Sequence, residues 1–181
     1  MTHVINLYGG PGTGKTTNRA RLFTYFKDAG INTEEVKEYV KMWAWEDRKP
    51  VNFDQFYIFG KQARSEYPLF GKVDYIITDS PVALGGYYAE VFGTPFQSTC
   101  FRQMVQVYYD MCAQKGVTHT HVFLNRVKPY NPKGRFQNEE EAINIDGEMK
   151  HYLKSLGIKT TVIDGNEQGM KELFKTLTKG K

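Results

Sequence analysis

Apolar positions along this chain switch repeatedly between two periods. His3 to Tyr8 reads as a short strand, and from Lys15 onward Leu22, Phe23, Phe26 and Ala29 fall at helical spacing until Gly30, a residue suited to ending a helix. Val36 to Val40 is the expected second strand, although Thr33-Glu34-Glu35 would equally open a helix. Residues 53 to 67 read as helix. Val73 to Thr78, bounded by Gly71 and ending at Asp79, carries the Ile76-Ile77 centre of a buried strand. Phe101, Met104, Val105, Tyr108, Met111 and Cys112 mark one helical face closed by Gly116, and His121 to Leu124 is another buried strand. Asn138 with Glu141 three residues on has the form of a capping box, ahead of a stripe of Ala142, Ile145, Met149, Tyr152, Leu153 and Leu156 that stops at Gly157. Thr160 to Ile163 is the last strand, and Met170, Leu173, Phe174 and Leu177 the last helical face. Strands alternating with helices of this length predict an α/β fold, a five-stranded parallel sheet covered on both faces. No linker interrupts the pattern, so residues 1–181 are expected to form one domain.

Composition narrows the class. Hydrophobic residues are 40%, charged residues 24% and aromatics 14%, a balance that excludes disorder and low complexity. Apolar stretches are strand-sized, far below the roughly 18 residues that span a bilayer. Met1-Thr2-His3-Val4-Ile5 lacks the basic-then-apolar order of a secretory signal, so a cytoplasmic location is expected. Cys100 and Cys112, if both lie on one helix, are about 18 Å apart along its axis and cannot bridge each other. No Asn-x-Ser/Thr acceptor occurs, which fits a reducing interior. With 24 Lys+Arg against 20 Asp+Glu the net charge is +4, which permits a polyanionic partner, nucleotide or nucleic acid, without demanding one.

Gly9-Gly10-Pro11-Gly12-Thr13-Gly14-Lys15-Thr16 satisfies G-x-x-x-x-G-K-[ST], and it stands after a strand and opens a helix, as phosphate binding requires. Glycines let successive N–H groups surround the phosphates while the helix N-terminus adds its dipole. Gly10, Pro11, Gly12, Thr13, Gly14, Lys15, Thr16 and Thr17 are the expected ATP cradle, with Lys15 on the β and γ oxygens and Thr16 on magnesium. Asp79, closing the third strand, is the expected second magnesium-side carboxylate. Ser80 and Pro81 follow it, so the Asp-Glu pair with which many motor ATPases activate water is missing, and hydrolysis as the purpose is weakened.

On the acceptor side Glu38 is expected at the carboxyl end of the second strand, where a carboxylate can take a proton from an attacking hydroxyl. Trp43 and Trp45 lie in a polar stretch and offer either a stacking surface for a base or plain core residues. Gln62 and Arg64 offer an amide and a cation to an acceptor, with surface solvation as the alternative. Asn125-Arg126-Val127-Lys128-Pro129-Tyr130-Asn131-Pro132-Lys133-Gly134-Arg135-Phe136-Gln137 reads as a short basic lid over about residues 126–137. Arg126 and Arg135 would there join Lys15, Glu38 and Asp79 as catalytic groups, stabilising charge on the transferring phosphoryl. His119 and His121 read as structural, since no further ligand cluster accompanies them.

These motifs together resemble the thymidylate-kinase-like branch of P-loop kinases over nearly the whole chain. Within that branch Glu38-Tyr39-Val40-Lys41, Trp45-Glu46-Asp47-Arg48 and Ile77-Thr78-Asp79-Ser80-Pro81 look most like small bacteriophage kinases that phosphorylate 5-hydroxymethyluracil in DNA. The resemblance implies a three-layer P-loop kinase fold, ATP with Mg2+, and a nucleotide-type acceptor, either hydroxymethylated DNA or a free nucleoside or nucleotide. One departure stands out. Nucleoside and thymidylate kinases usually carry Arg after the third-strand Asp, and Ser80 is here, which leaves Arg48 or Arg64 to substitute. Two other classes compete: a GTPase switch, opposed by the lack of Asn-Lys-x-Asp at Asn125-Arg126-Val127-Lys128, and an ATP-gated nucleic-acid-binding protein.

Overall fold

The computed structural model describes residues 1–51, 53–133 and 137–179. The elements run β1 (His3–Tyr8), α1 (Lys15–Asp28), β2 (Thr33–Val36), α2 (Lys41–Trp45), α3 (Asp54–Glu66), a 3₁₀ turn (Tyr67–Leu69) and β3 (Tyr75–Thr78). They continue with α4 (Val82–Phe92), α5 (Pro95–Gln114), β4 (Thr118–Asn125), α6 (Glu139–Ser155), β5 (Thr161–Asp164) and α7 (Glu167–Thr178). The five strands form one parallel sheet in the order β2-β3-β1-β4-β5. Such a sheet must be covered on both faces, and the alternation of side chains along β1 shows how. Ile5 and Leu7 pack with Leu22 and Phe26 of α1 and Met170 and Leu173 of α7. Tyr8 points the other way, into a cluster with Phe59 of α3, Leu84 of α4, Phe101 of α5 and Met149 of α6. The result is a three-layer α/β fold.

Two departures from the sequence pattern have local causes. The second strand ends at Val36 and not at Val40, and the ambiguous Thr33-Glu34-Glu35 is its body. Among the described residues it is an edge strand paired with β3, and its glutamates pair with cations of α1, Lys27 for Glu34 and Arg19 for Glu35. The sequence pattern left out helix α4, which is buried over most of its circumference and so carries no amphipathic period. Its glycines are needed for contact: a Cβ on Gly86 would run into the Tyr152 hydroxyl, and one on Gly85 would lie 3.1 Å from Phe59. Asn138 and Glu141 form the expected capping box, each side chain accepting from the other residue's N–H. Cys100 and Cys112 both lie on α5 and are free thiols.

Against this core sits a polar cluster. Glu66, at the end of α3, is 1% exposed, accepts from Gln62 Nε2 at 3.2 Å and from the Tyr108 hydroxyl, and its carboxyl is pushed up from 4.5 to about 7 by burial. His119 and His121 are pushed down to about 3 and about 4, chiefly by burial, and stay neutral. The signs oppose each other. A native carboxyl that holds its proton more tightly than the unfolded chain gives stability at low pH that is lost as pH rises from 4.5 to 7. Histidines that resist protonation give stability above 6.5 that is lost on acidification. Glu66→Gln is therefore expected to steepen acid destabilisation between pH 6.5 and 4.5, by up to about 3 kcal/mol across the window. Urea unfolding measured at half-unit pH steps checks this, and parallel wild-type and variant profiles would remove Glu66 from the titration.

Candidate active site at the carboxyl edge of the sheet

The phosphate loop follows β1 and Asp79 follows β3, its parallel neighbour, so both emerge at the same edge of the sheet. Gly14 caps α1 in the left-handed region, at φ 85°, which a residue with a Cβ adopts only under strain. No side chain caps that helix end and no acidic residue occupies its first turn, which leaves its N–H groups and positive dipole end to an anion. Lys15, the first residue of the helix, turns back over the loop and donates to Gly9 O at 2.6 Å and Gly10 O at 3.3 Å. Thr16 and Thr17 follow in the first turn, and Thr13 is buried with its hydroxyl on Gly10 O at 3.0 Å.

Asp79 is 1% exposed. Its Oδ1 accepts from Arg19 Nη1 at 3.3 Å and from the Glu38 N–H at 3.2 Å, while Oδ2 carries no hydrogen bond among the described residues. Glu38 itself lies two residues past the end of β2, in the loop before α2, so the main chain and not the strand brings it to Asp79. The hydroxyl of Tyr88, on α4, is raised first by burial and then by the Glu38 carboxylate, which sets α4 opposite that loop. A magnesium ion would find hard oxygen donors here, the Thr16 hydroxyl and Asp79 Oδ2. No group of three or more His, Cys, Asp or Glu side chains forms a metal cage among the described residues. Few protein ligands beside substrate phosphates is the arrangement Mg2+ favours.

The acceptor-side residues divide. Trp43 is buried, and the guanidinium of Arg48 covers its ring at 3.7 Å from the centroid; Arg48 also pairs with Asp54 at 3.2 Å. Trp45 is exposed. Tyr39 bridges the loop to α3, its hydroxyl 2.9 Å from that of Tyr57. Gln62 is buried, and its amide nitrogen is spent on Glu66 and on Thr78 Oγ1 at 3.2 Å each. Arg64 lies in an apolar groove between α3 and α5 with Phe70 and Lys115, residues that precede β3 and β4. The groove is thus toward the end at which those strands begin, away from the phosphate loop. Among the described residues the guanidinium that reaches Asp79 is that of Arg19, not Arg48 or Arg64.

Arg126 is 13% exposed at its side chain and braces the loop: it donates to Pro11 O at 2.8 Å, to Ala142 O at 3.2 Å and to Asp146 Oδ2 at 2.9 Å. Asp146 also accepts from the Gly10 N–H, and a Cβ on Gly12 would lie 2.7 Å from Arg126 Nη1. Arg135 lies outside the described residues. Three residues escaped the sequence reading. Arg19 stands one turn after Lys15, a spacing that puts the two on one side of α1. Gln55 is buried with its side-chain oxygen unpartnered, and the run Gln55, Phe59, Gln62, Glu66 has core spacing, so polar residues in an inward stripe were the available signal. Asp146 had none.

A family model described as an AAA domain matches residues 4–169. No curated protein matches. Among solved structures, the chain is similar to NadR protein in complex with NR, with a TM-score of 0.71 and 17% identity over 97% of this chain and 50% of that one. NadR in complex with NAD and AMP-PNP gives 0.69 and 16% over 97% and 48%, so the chain spans about half the length of these relatives. Deoxyadenosine kinase from M. mycoides, with the products dCMP and a flexible dCDP bound, gives 0.60 and 16% over 98% and 100%. At these identities the likeness is one of fold, that of P-loop kinases. Among the described residues no helix is long and apolar enough to cross a membrane.

Proposed function

We propose, from the premise that this chain belongs to the AAA domain family, that it transfers the γ-phosphate of ATP to a hydroxyl of a nucleoside-type acceptor. The observation that carries the reading is the hydrogen bond from the Glu38 N–H to Asp79 Oδ1, which ties an acceptor-side carboxylate to the carboxylate beside the phosphate loop. Ser80 and Pro81 follow Asp79, so the glutamate with which many motor ATPases activate water is absent from that position, and Glu38 comes instead from the loop after β2. Lys15 and the open N-terminus of α1 hold the phosphates, and Glu38 takes the proton of the attacking hydroxyl. Thr16 and Asp79 would hold Mg2+, which would supply neutralisation of the phosphate charge. Arg126 keeps the outer wall of the loop in place. The bound NR and dCMP in the structures of similar fold support a nucleoside or nucleotide acceptor.

A finer reading, the 5-hydroxymethyl group of a pyrimidine within phage DNA, is favoured by one feature. Trp45, Phe53, Phe56 and Tyr57 are exposed around α2 and the start of α3, beside the exposed cations Arg48 and Lys49. Exposed rings interleaved with cations stack bases and hold phosphates. The test is transfer of labelled γ-phosphate to deoxynucleosides, deoxynucleoside monophosphates and hydroxymethylated DNA offered together. Label on any of these acceptors is expected. Inorganic phosphate alone, with no labelled acceptor, would leave an ATPase and overturn the kinase reading. Label confined to free nucleosides or nucleotides would overturn the DNA reading.

A further inference from the structure

Arg19 enters the site from below. It lies on α1, and its side chain is 6% exposed, with Nε 3.3 Å from Glu35 Oε2 and Nη1 3.3 Å from Asp79 Oδ1. Glu35 belongs to β2, directly opposite Ile77 of β3, and Asp79 follows that same strand. One guanidinium therefore spans two carboxylates on neighbouring strands, from the helix that also bears Lys15. The second oxygen of Glu35 is held by Lys37 at 3.1 Å. Among the described residues Asp79 receives its hydrogen bonds on Oδ1, from Arg19 and from the Glu38 N–H.

A cation so placed has a cost. Burying charged groups removes them from water, and apolar side chains of similar volume commonly serve packing as well or better. A guanidinium gives what an apolar residue cannot: Nη1 donates a directed bond to Asp79 Oδ1, while Nε meets Glu35 as an ion pair without a hydrogen bond and holds the guanidinium in place. We infer that Arg19 is a positioning residue for phosphoryl transfer, gripping Asp79 by Oδ1 so that Oδ2 is kept for the metal and the Glu38 loop is anchored on the same carboxylate. This rests on the function proposed above. Arg19 is too buried to meet the acceptor, and it acts through Asp79.

Arg19→Lys separates charge from direction, because lysine keeps the positive charge and loses the guanidinium. Binding of a non-hydrolysable ATP analogue is measured by calorimetry with and without Mg2+, beside kcat across a Mg2+ titration and the melting temperature. For Arg19→Lys the metal-free affinity is expected to stay within about twofold of wild type. The Mg2+ concentration that half-maximally strengthens binding should rise about tenfold, in the range found when groups supporting a metal ligand are removed. kcat should fall at low Mg2+ and recover in part at high Mg2+. Glu35→Gln, which leaves Arg19 without its second anchor, is expected to shift the Mg2+ requirement in the same direction by less.

A lowered melting temperature with an unchanged Mg2+ requirement in both variants would make Arg19 a packing brace and overturn the inference. Tighter Mg2+ binding in either variant would overturn it too, showing that Arg19 competes with the metal. Should Arg19→Lys fail to fold, Glu35→Gln decides by the same two criteria. A wild-type protein that phosphorylates no acceptor overturns the kinase function, while the metal dependence of analogue binding still reads the positioning role.

Discussion

Lys15→Ala is expected to lower phosphoryl transfer by about a thousandfold while leaving a folded protein. Removing one well-aimed donor from a site where charge develops costs about 10² to 10³ in rate, and an ammonium on the β and γ oxygens acts on the nucleotide and on the transition state alike. The fold should survive because Lys15 is only half-buried, at the mouth of the loop, and lies outside the three core clusters. Its present bonds to Gly9 O and Gly10 O are made across its own loop, and Gly10 O keeps the Thr13 hydroxyl and N–H when they are lost. Initial rates with saturating acceptor, beside far-UV circular dichroism of the variant, check this. Undiminished rates in a folded Lys15→Ala protein would mean that the loop binds nothing the reaction needs.

The loop could be read from sequence because its chemistry is local. Eight consecutive residues carry the turn, the lysine and the hydroxyl, and the flanking strand and helix have clean periods, so fold class and phosphate site were legible together. The acceptor side is assembled from separate stretches and was less so. Glu38 was placed on a strand, and it sits instead in the loop after a four-residue edge strand, held by a main-chain bond that no side-chain pattern encodes. Trp43 and Trp45, two residues apart on a five-residue helix, are equivalent in composition, yet one is under Arg48 and the other exposed. Arg19 was invisible because a lone arginine on an amphipathic helix reads as solvated, and its two partners come from β2 and from the end of β3. Arg48 and Arg64, the arginines nearest in sequence before Ser80, are engaged elsewhere, and the guanidinium that reaches Asp79 comes from further upstream still, on α1.

Glu38→Gln should depress kcat by about 10² to 10⁴ and leave ATP affinity within about twofold. That range is what a positioned general base contributes. Glutamine keeps the shape and removes the proton acceptor, and the bond that ties this residue to Asp79 comes from the main chain, so the substitution leaves that contact in place. ATP is held elsewhere, by Lys15 and the N-terminus of α1, and should not feel the change. Glu35 is the control. It lies three residues upstream, and its two oxygens are each committed to a cation, Arg19 and Lys37. A carboxylate held in that way orients its neighbours, so Glu35→Gln should move the Mg2+ requirement more than the chemical step. Single-turnover transfer at saturating ATP and Mg2+, where metal binding no longer limits, separates the two carboxylates. The expected result is a slow step in Glu38→Gln and a near-normal one in Glu35→Gln. The reverse order would make Glu35 the base, and equal loss of ATP affinity and rate in Glu38→Gln would place Glu38 in the phosphate cradle.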